Sequence, residues 1–357
     1  MKSALRERPG CGKPHPEGPR PRLARKRRLL SREEYLDGIL QGDRTVLARA
    51  ITLIESGREA DRELAEQIVE DCLPHSGDSI RVGITGVPGA GKSTLIEALG
   101  GCLIAEKKQK VAVLAIDPSS QISGGSILGD KTRMPTLAAS EMAFIRPSPS
   151  RGIAGGVAQR TREAMLLCEA AGYRNILVET IGVGQSETAV HEMVDFFLLI
   201  TLAGAGDELQ GIKRGVMELA DLVAVNKADG ANAAAAERAR AEAQNALHFF
   251  PGSGSGWTPR AVSCSAMTGA GIRELWECVL EYAALTRANG WFGASRREQQ
   301  KRWMHEMIEQ TLRQRFEAHP AVRHSMEALE RDVTEGRTTP FRAARVLLEM
   351  YSRPMVK

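Results

Sequence analysis

The sequence has few cysteines and no long apolar run. Its six cysteines among 357 residues include no pair with CxxC spacing, which argues against a disulfide framework and indicates reduced thiols in a cytosolic protein. The longest largely apolar run, Phe196–Ala203, has the length of a buried strand, so we expect no membrane span. The N-terminus also lacks the apolar core of a secretory signal.

Acidic residues are scarce near the N-terminus and common elsewhere. Residues 1–30 hold ten lysines and arginines against two glutamates, although the whole chain has a net charge of only +4. The rest of the chain is therefore slightly acidic, and we expect no nucleic-acid partner. Residues 1–30 resemble a transit peptide in charge, but their five prolines oppose an amphipathic helix, so we interpret them as a disordered basic tail.

Short β-rich runs alternate with helical stretches from Ser79 onward. This alternation is typical of βαβ units, so we predict an α/β fold with a mostly parallel sheet covered by helices. Before it, Ser31 with Glu34 forms a capping-box pattern, and Asp43 and Asp61 are further N-cap candidates for two or three helices. The predicted organisation is a tail at 1–30, a helical segment at 31–78, an α/β domain at 79–285 and a helical arm at 286–357.

Seven strands are predicted inside the α/β domain. They are Arg81–Thr85, Val111–Ile116, Met142–Ile145, Ile176–Glu179, Phe196–Thr201, Leu222–Asn226 and Ala261–Cys264. The helices predicted among them are Ser93–Glu106, Gly156–Ala171, Ala231–Leu247 and Gly271–Tyr282.

Residues 86–93, GVPGAGKS, match the phosphate-loop pattern GxxxxGK[ST] in full, between a predicted strand and a predicted helix. The glycines let backbone N–H groups surround phosphate oxygens, and the helix N-terminus adds a positive dipole. Lys92 is expected to reach the β- and γ-phosphates, and Ser93 to offer its hydroxyl to Mg²⁺. A strand–helix turn that merely needs glycine is the alternative, and the Lys-Ser pair argues against it. The predicted phosphate-binding residues are Gly86, Val87, Pro88, Gly89, Ala90, Gly91, Lys92, Ser93 and Thr94.

The sequence NKAD at 226–229 follows a predicted strand and indicates a guanine site. A carboxylate at Asp229 accepts two hydrogen bonds from guanine N1–H and N2–H₂, a donor pair that adenine lacks. Asn226 and Lys227 are expected to brace the loops and flank the base. A second base loop, Ser265, Ala266 and Met267, follows the last strand and can turn a backbone N–H toward the guanine carbonyl, although an ordinary loop would have the same sequence.

Acidic residues at strand ends predict the metal site. Asp117 and Glu179 end neighbouring predicted strands at the sheet edge where ligands bind, and such acids hold Mg²⁺ in P-loop enzymes. Gly182 can donate its N–H to the γ-phosphate, a contact made only with a triphosphate, so residues 182–188 are a candidate switch. The long polar segment 119–134 is a second candidate switch and carries Asp130, for which a solvated loop carboxylate is the alternative.

The motif around Gly182 lacks a glutamine at the next position, where a water-positioning residue would be expected. Gln185 lies three residues further on. We therefore expect slow intrinsic GTP hydrolysis that a partner accelerates.

Long stretches of this sequence resemble the MeaB/MMAA/ArgK family of P-loop GTPases. They are ETIGVGQSE at 179–187, DPSSQISGGSILGDKTRM at 117–134, AGAGDELQGIKRG at 203–215 and NKAD. The resemblance runs from about Ser31 to about Met350 and includes FxxHPxV at 316–322 and TPxxAA at 339–344 of the arm. Members of this family are G-protein chaperones of adenosylcobalamin-dependent methylmalonyl-CoA mutase.

The resemblance implies specific roles. Ser93, Asp117, Asp130 and Glu179 would form the Mg²⁺ and switch network, and Lys92, Asp117, Glu179, Gly182 and Lys213 would serve GTP hydrolysis. Residues 203–215 would be a third switch that relays nucleotide state to the mutase. Lys213 is the residue in it that we expect to act, although an exposed lysine at a helix start is the alternative. The protein would gate the loading and release of the mutase's cofactor, and the helical arm would form a homodimer.

Other functions share parts of this pattern. Nickel- or zinc-insertion GTPases have a similar fold, but their histidine-rich tracts or clustered cysteines are not found here, where seven histidines and six cysteines are scattered. A second alternative is a kinase that phosphorylates a transport protein, an old label attached to the ArgK name. No residue here resembles the base that would activate a substrate hydroxyl in such a kinase. A chaperone of a related acyl-CoA mutase stays open. We expect a bacterial cytoplasmic protein in preference to a mitochondrial one.

Overall fold

The structure is a computed structural model that describes residues 29–56, 58–116, 133–147, 154–180, 186–203, 214–250 and 254–352. Asp117, Asp130, Gly182, Gln185 and Lys213 lie outside these residues. Residues 32–357 belong to one compact unit.

Helices and strands follow one another in the described residues in the predicted alternation. The strands are β1 (Ile80–Gly86), β2 (Val111–Ile116), β3 (Ala143–Pro147), β4 (Asn175–Thr180), β5 (Phe196–Leu202), β6 (Leu222–Asn226) and β7 (Arg260–Ser263). The helices are α1 (Arg32–Leu40), α2 (Arg44–Ile54), α3 (Glu59–Cys72), α4 (Lys92–Lys107), α5 (Pro135–Ala139), α6 (Ala154–Ala170), α7 (Ser186–His191), α8 (Arg214–Glu218), α9 (Ala233–Leu247), α10 (Ile272–Ala288), α11 (Trp291–Ala318), α12 (Pro320–Thr334) and α13 (Pro340–Ser352). Short 3₁₀ turns lie at Leu73–His75 and Gly230–Asn232.

The described strands form one seven-stranded sheet in the order β3-β2-β4-β1-β5-β6-β7. Every neighbouring pair is parallel, which confirms the predicted fold class. Parallel strands expose no face to water when helices cover both sides, and β2, β4 and β6 are accordingly buried along their whole length. The carboxyl ends of β1, β4, β5 and β6 meet at one edge, which is where ligands bind in such sheets.

Apolar side chains pack on both faces of the sheet. On one face, Ile84 and Ile200 pack with Leu95 and Leu99 of α4 and with Leu275 of α10. On the other face, Leu199, Val223 and Leu247 form a separate cluster. The helix that follows the phosphate loop is therefore held against the sheet by its own apolar side chains, which places its N-terminus at the ligand-binding edge.

In the described residues, three α-helices precede β1, as the sequence allowed, and one of the predicted caps is confirmed. The Asp43 carboxylate accepts hydrogen bonds from Thr45 N and Val46 N at the start of α2. The prediction for Asp61 is wrong, because α3 begins at Glu59 with Arg58 as N-cap. Asp61 instead lies inside the first turn of α3, where it accepts a hydrogen bond from Ser56 Oγ.

The C-terminal helices are joined to the base of the sheet. Arg296 of α11 makes two hydrogen bonds of 2.7 Å to the Asp195 carboxylate and also reaches the carbonyls of Gly77 and Ser79. These contacts lie at the opposite end of β1 from the phosphate loop. No helix in the part of the chain that the structure describes is both long and apolar enough to cross a membrane.

Candidate functional site

The phosphate loop joins β1 to α4 at the carboxyl edge of the sheet, as the motif predicts. Gly86, the last residue of β1, packs against β5 so closely that a Cβ atom there would lie 2.2 Å from the carbonyl oxygen of Ile200. Gly91 precedes α4 in the left-handed conformation, with φ of 89°. A Cβ atom at Gly91 would lie 2.7 Å from Asn226 Nδ2, so only glycine fits both the backbone and the space.

Lys92 begins α4 and folds back along the loop. Its Nζ donates hydrogen bonds to Gly86 O at 2.8 Å and to Val87 O at 3.3 Å. Burial lowers the pKa of Lys92, while the nearby carboxylates of Glu179 and Glu187 oppose that shift. The ammonium group therefore lies inside the loop that the sequence assigns to phosphate.

Ser93 at the start of α4 and Glu179 near the end of β4 contact each other at the carboxyl edge of the sheet. Ser93 Oγ donates a hydrogen bond of 2.9 Å to Glu179 Oε1, and Glu179 is 3% exposed near the end of β4. In the sheet, Glu179 pairs with Ile84 of β1 and Ala115 of β2, which brings it beside the loop. A hydroxyl and a carboxylate oxygen are ligands that Mg²⁺ prefers, so this pair fits the predicted metal.

Two further predicted ligands, Asp117 and Asp130, lie outside the described residues. Among the residues that are described, no three or more His, Cys, Asp or Glu side chains form a metal-holding group.

Asn226 connects the phosphate loop to the base loop. From the end of β6, its Nδ2 donates to Ala90 O at 2.8 Å, and its Oδ1 accepts from Ala266 N at 3.1 Å. Asn226 is 2% exposed, and its bond to Ala90 O is buried while its bond to Ala266 N is partly buried. These two hydrogen bonds are the contacts through which Asn226 would brace the two loops.

Asp229 and Ser265, which the sequence assigns to the base, contact each other. Ser265 Oγ donates to Asp229 Oδ1 at 2.8 Å and accepts from Thr268 N at 3.2 Å. Lys227 has a φ of 60°, which is uncommon for a residue with a side chain, and its carbonyl accepts from Asn232 Nδ2 at 2.9 Å. Met267 is 79% exposed beside this pair. The Asp229 carboxylate is thus oriented by the Ser265 hydroxyl.

Glu187 is a site residue that sequence reasoning named only as part of a switch segment. It lies in α7, is 2% exposed, and its charge acts on Lys92. The signal was available as the second glutamate of ETIGVGQSE, eight positions after Glu179. Spacing alone does not place it, because the packing of α7 against β4 and β1 decides what it faces.

The sequence of this chain is similar to those of known proteins. The family model described as methylmalonyl Co-A mutase-associated GTPase MeaB matches residues 47–321. A putative GTPase of Caulobacter vibrioides is 50% identical over 313 residues, which covers 88% of this chain and 95% of that protein.

A relative from mouse, named methylmalonic aciduria type A homolog, mitochondrial, is 44% identical over 324 residues, which covers 88% of this chain and 78% of that protein. Among solved structures, an LAO/AO transport system kinase superposes with a TM-score of 0.72 at 37% identity, covering 91% of this chain and 100% of that one.

Proposed function

The chain belongs to the MeaB family of methylmalonyl-CoA mutase-associated GTPases, and we propose that it binds GTP and GDP with Mg²⁺ and hydrolyses GTP to GDP and phosphate. Its intrinsic rate is slow, and a partner raises it. The residues that serve hydrolysis are Lys92, Asp117, Glu179, Gly182 and Lys213. The nucleotide is held by residues 86–94, by Asn226, Lys227 and Asp229, and by Ser265, Ala266 and Met267.

One observation carries this proposal, namely the hydrogen bonds by which Asn226 joins Ala90 of the phosphate loop to Ala266 of the base loop. They hold the two loops at a set separation, which supports a nucleotide site between them. The Asp229 carboxylate, held by Ser265, supplies the two acceptors that a guanine edge requires. A nucleotide with a base that lacks those donors leaves this carboxylate unpaired, which is the basis of guanine preference.

At the phosphate end, the residues of the chain position and neutralise charge. Lys92 replaces its bonds to loop carbonyls with bonds to β- and γ-phosphate oxygens, and the α4 N-terminus faces the same oxygens. Ser93 and Glu179 would hold Mg²⁺ together with Asp117 and Asp130, and the ion would supply charge stabilisation at the phosphates. Gly182 would donate its N–H to the γ-phosphate and so respond to hydrolysis.

The partner we propose is adenosylcobalamin-dependent methylmalonyl-CoA mutase, or a related acyl-CoA mutase. The family description names methylmalonyl-CoA mutase, which supports this choice. The protein gates loading and release of the mutase cofactor and protects the mutase, with residues 203–215 as the relay. We propose the bacterial cytoplasm as the compartment of this protein, since a relative of 50% identity is bacterial.

A homodimer formed through the helical arm belongs to the same proposal. On α11, Met304, Ile308 and Leu312 are spaced four residues apart and are 53%, 48% and 53% exposed. Phe341 on α13 is 89% exposed. Apolar side chains in one row on a helix are expected to be covered by a partner surface.

The test is GTP turnover by the purified protein, alone and with methylmalonyl-CoA mutase from the same organism, with Lys92→Ala as the inactive control. We expect slow turnover alone, a large stimulation by the mutase, and none in the Lys92→Ala variant. GTP binding without stimulation would remove the mutase from the proposal and favour another mutase or metal insertion. Unchanged turnover in the Lys92→Ala variant would contradict the phosphate-loop assignment.

A further inference from the structure

A cavity of about 220 Å³ lies between the amino-terminal ends of β5 and β6 and the helices α10 and α11. The phosphate loop follows the carboxyl end of β1 in this parallel sheet, so the cavity lies at the opposite end of the sheet from it. A water molecule takes about 30 Å³ of the liquid, so a space of this size fits about seven waters or one small organic molecule. It is therefore separate from the candidate nucleotide site.

Three carboxylates line this cavity, and two of them are paired with arginines of α11. Arg302 donates to Glu192 Oε1 at 3.2 Å. Arg296 makes two hydrogen bonds of 2.7 Å to Asp195. The third carboxylate is that of Asp221, the residue before β6, and no described side chain forms an ion pair with it. The cavity therefore contains one acidic group whose charge the described residues do not balance.

The Asp221 carboxylate keeps most of its hydrogen-bonding capacity. Its Oδ2 accepts from Phe197 N at 2.8 Å, and within the described ranges no group donates to its Oδ1. An ionised carboxylate has about four lone-pair sites, so one backbone N–H satisfies only a part of it. Burial raises the pKa of Asp221 to about 7, because that single bond does not offset the loss of water. A ligand with several N–H donors would supply the missing bonds.

Aromatic side chains form another part of the cavity wall. Tyr282 of α10 is 5% exposed, and its ring packs edge-on against Phe196 with centroids 5.1 Å apart. The Trp291 side chain, which also lines the cavity, donates a hydrogen bond to the Tyr282 hydroxyl. Burial, together with the negative charge of Asp221, raises the pKa of the Tyr282 phenol. A carboxylate beside fixed aromatic rings is an arrangement that attracts small organic cations.

The charged groups around Asp221 favour a cation at alkaline pH. The titratable or charged side chains around it are those of His191, Glu192, Asp195, Tyr282, Arg296 and Arg302. Each of the two arginines is neutralised by its own carboxylate partner. Burial lowers the pKa of His191, so this imidazole adds no positive charge at pH 8. Ionised Asp221 therefore sets the sign of the charge in the cavity.

We propose that this cavity binds a small primary alkylammonium ion. Its N–H groups donate to Asp221 Oδ1, and its alkyl chain packs against the side chains of Tyr282 and Trp291. The bound charge replaces the proton that Asp221 otherwise holds. Occupation of the cavity by water alone is the alternative. This inference goes beyond the proposed GTPase function and does not depend on it.

The experiment titrates the full-length protein with propylammonium chloride, without nucleotide and in phosphate buffer that contains no other amine. Ligand-observed NMR gives the affinity, and we expect a Kd of about 1 mM at pH 8. At pH 5 the affinity should fall by at least about tenfold, because Asp221 then holds its proton. Propylammonium stays charged at both pH values, as lysine does. 1-Propanol, which has the same chain length without the charge, should not bind.

Two variants and one control locate the binding. Asp221→Asn should weaken the binding of propylammonium at pH 8 by at least about tenfold and remove its pH dependence, since the amide does not ionise. Ser295→Leu occupies part of the cavity without altering the carboxylate, and it should also weaken binding. Asp78→Asn removes an exposed carboxylate that pairs with Arg174, and it should bind as the wild type does.

Three results would overturn the proposal. They are the absence of saturable binding to the wild-type chain at pH 8, wild-type affinity in Asp221→Asn or in Ser295→Leu, and equal binding of 1-propanol and propylammonium. Because no nucleotide is present, each of these results would leave the proposed GTPase function unaffected. Loss of GTP turnover would likewise leave this binding site untouched.

Discussion

The side-chain amide of Asn226 donates a hydrogen bond of 2.8 Å to the carbonyl oxygen of Ala90. This bond runs from the end of β6 to the phosphate loop, and the other end of the same amide holds the backbone N–H of Ala266. One buried side chain therefore sets the distance between the phosphate loop and the loop at Ser265–Met267.

Replacing Asn226 by alanine should weaken the binding of GTP and GDP alike. The change leaves Ala90 O and Ala266 N without their partner and costs about 1–3 kcal/mol for each buried group left unsatisfied. We expect an affinity loss of roughly tenfold or more, measured by titration with a fluorescent GDP analogue. Asn245→Ala, on the exposed side of α9, is the control and should bind normally. Equal affinities in the two variants would show that the bridge does not organise the site.

Replacing Asp229 by asparagine should exchange guanine preference for xanthine preference. The new amide donor opposes the guanine N2–H₂ group, whereas xanthine presents an oxygen acceptor at that position and keeps its N1–H. Competition between GTP and xanthosine triphosphate measures the change, which we expect to reach at least about tenfold. Retained preference for GTP would exclude Asp229 as the group that reads the base.

Ser265→Ala should weaken the binding of GTP without changing the preferred base. The Ser265 hydroxyl orients Asp229 through a bond of 2.8 Å, and its loss frees the carboxylate to rotate. A loss of about 0.5–1.5 kcal/mol in GTP affinity is expected for one such bond. Calorimetric titration with GTP and with xanthosine triphosphate checks both parts of this prediction, and a change of base preference would contradict it.

Arg296→Ala should destabilise the fold strongly. The Arg296 side chain is 12% exposed and its partner Asp195 is 3% exposed, so the variant leaves a carboxylate buried without its cation. Breaking such a pair costs about 3–5 kcal/mol. Arg302→Ala on the same helix breaks an exposed pair with Glu192 and should cost about 1 kcal/mol or less. Denaturant unfolding of both variants gives the comparison, and similar losses in the two would refute the assigned importance of the Arg296 network.

Asp221→Asn should stabilise the protein at alkaline pH. Asp221 faces a cavity of about 220 Å³, and burial raises the pKa of its carboxyl to about 7. Because the folded chain then holds this proton more tightly than the unfolded chain, the free energy of unfolding falls as pH rises from about 4 to 7. Asparagine retains an oxygen that can accept from Phe197 N and does not ionise.

The melting temperatures of this variant and the wild-type chain should therefore be close at pH 5 and differ at pH 8, by roughly 2–4 °C per kcal/mol. Asp78→Asn, whose carboxylate is exposed and pairs with Arg174, is the control without that difference. A difference between Asp221→Asn and the wild type that does not change with pH would contradict the raised pKa.

Much of the fold could be predicted because its signals are local. β2 and β6 have the predicted bounds, Val111–Ile116 and Leu222–Asn226, since an apolar run between turn residues specifies a buried strand. The phosphate loop was equally predictable, because its glycines, lysine and serine are consecutive. The Asp61 prediction failed because an N-cap depends on where the first turn begins, and the N-cap of α3 is Arg58, three residues before Asp61.

The sequence by itself determined the α/β class and the place of the phosphate loop between β1 and α4, since consecutive residues set backbone propensity and loop chemistry. Only the tertiary structure decided which distant residues meet. Asn226 reaches Ala90 across 136 positions, and Glu97 reaches Thr136 across 39. Those contacts depend on strand order and on the packing of α5 against α4, which follow from burial of the whole apolar core and from no single stretch of residues.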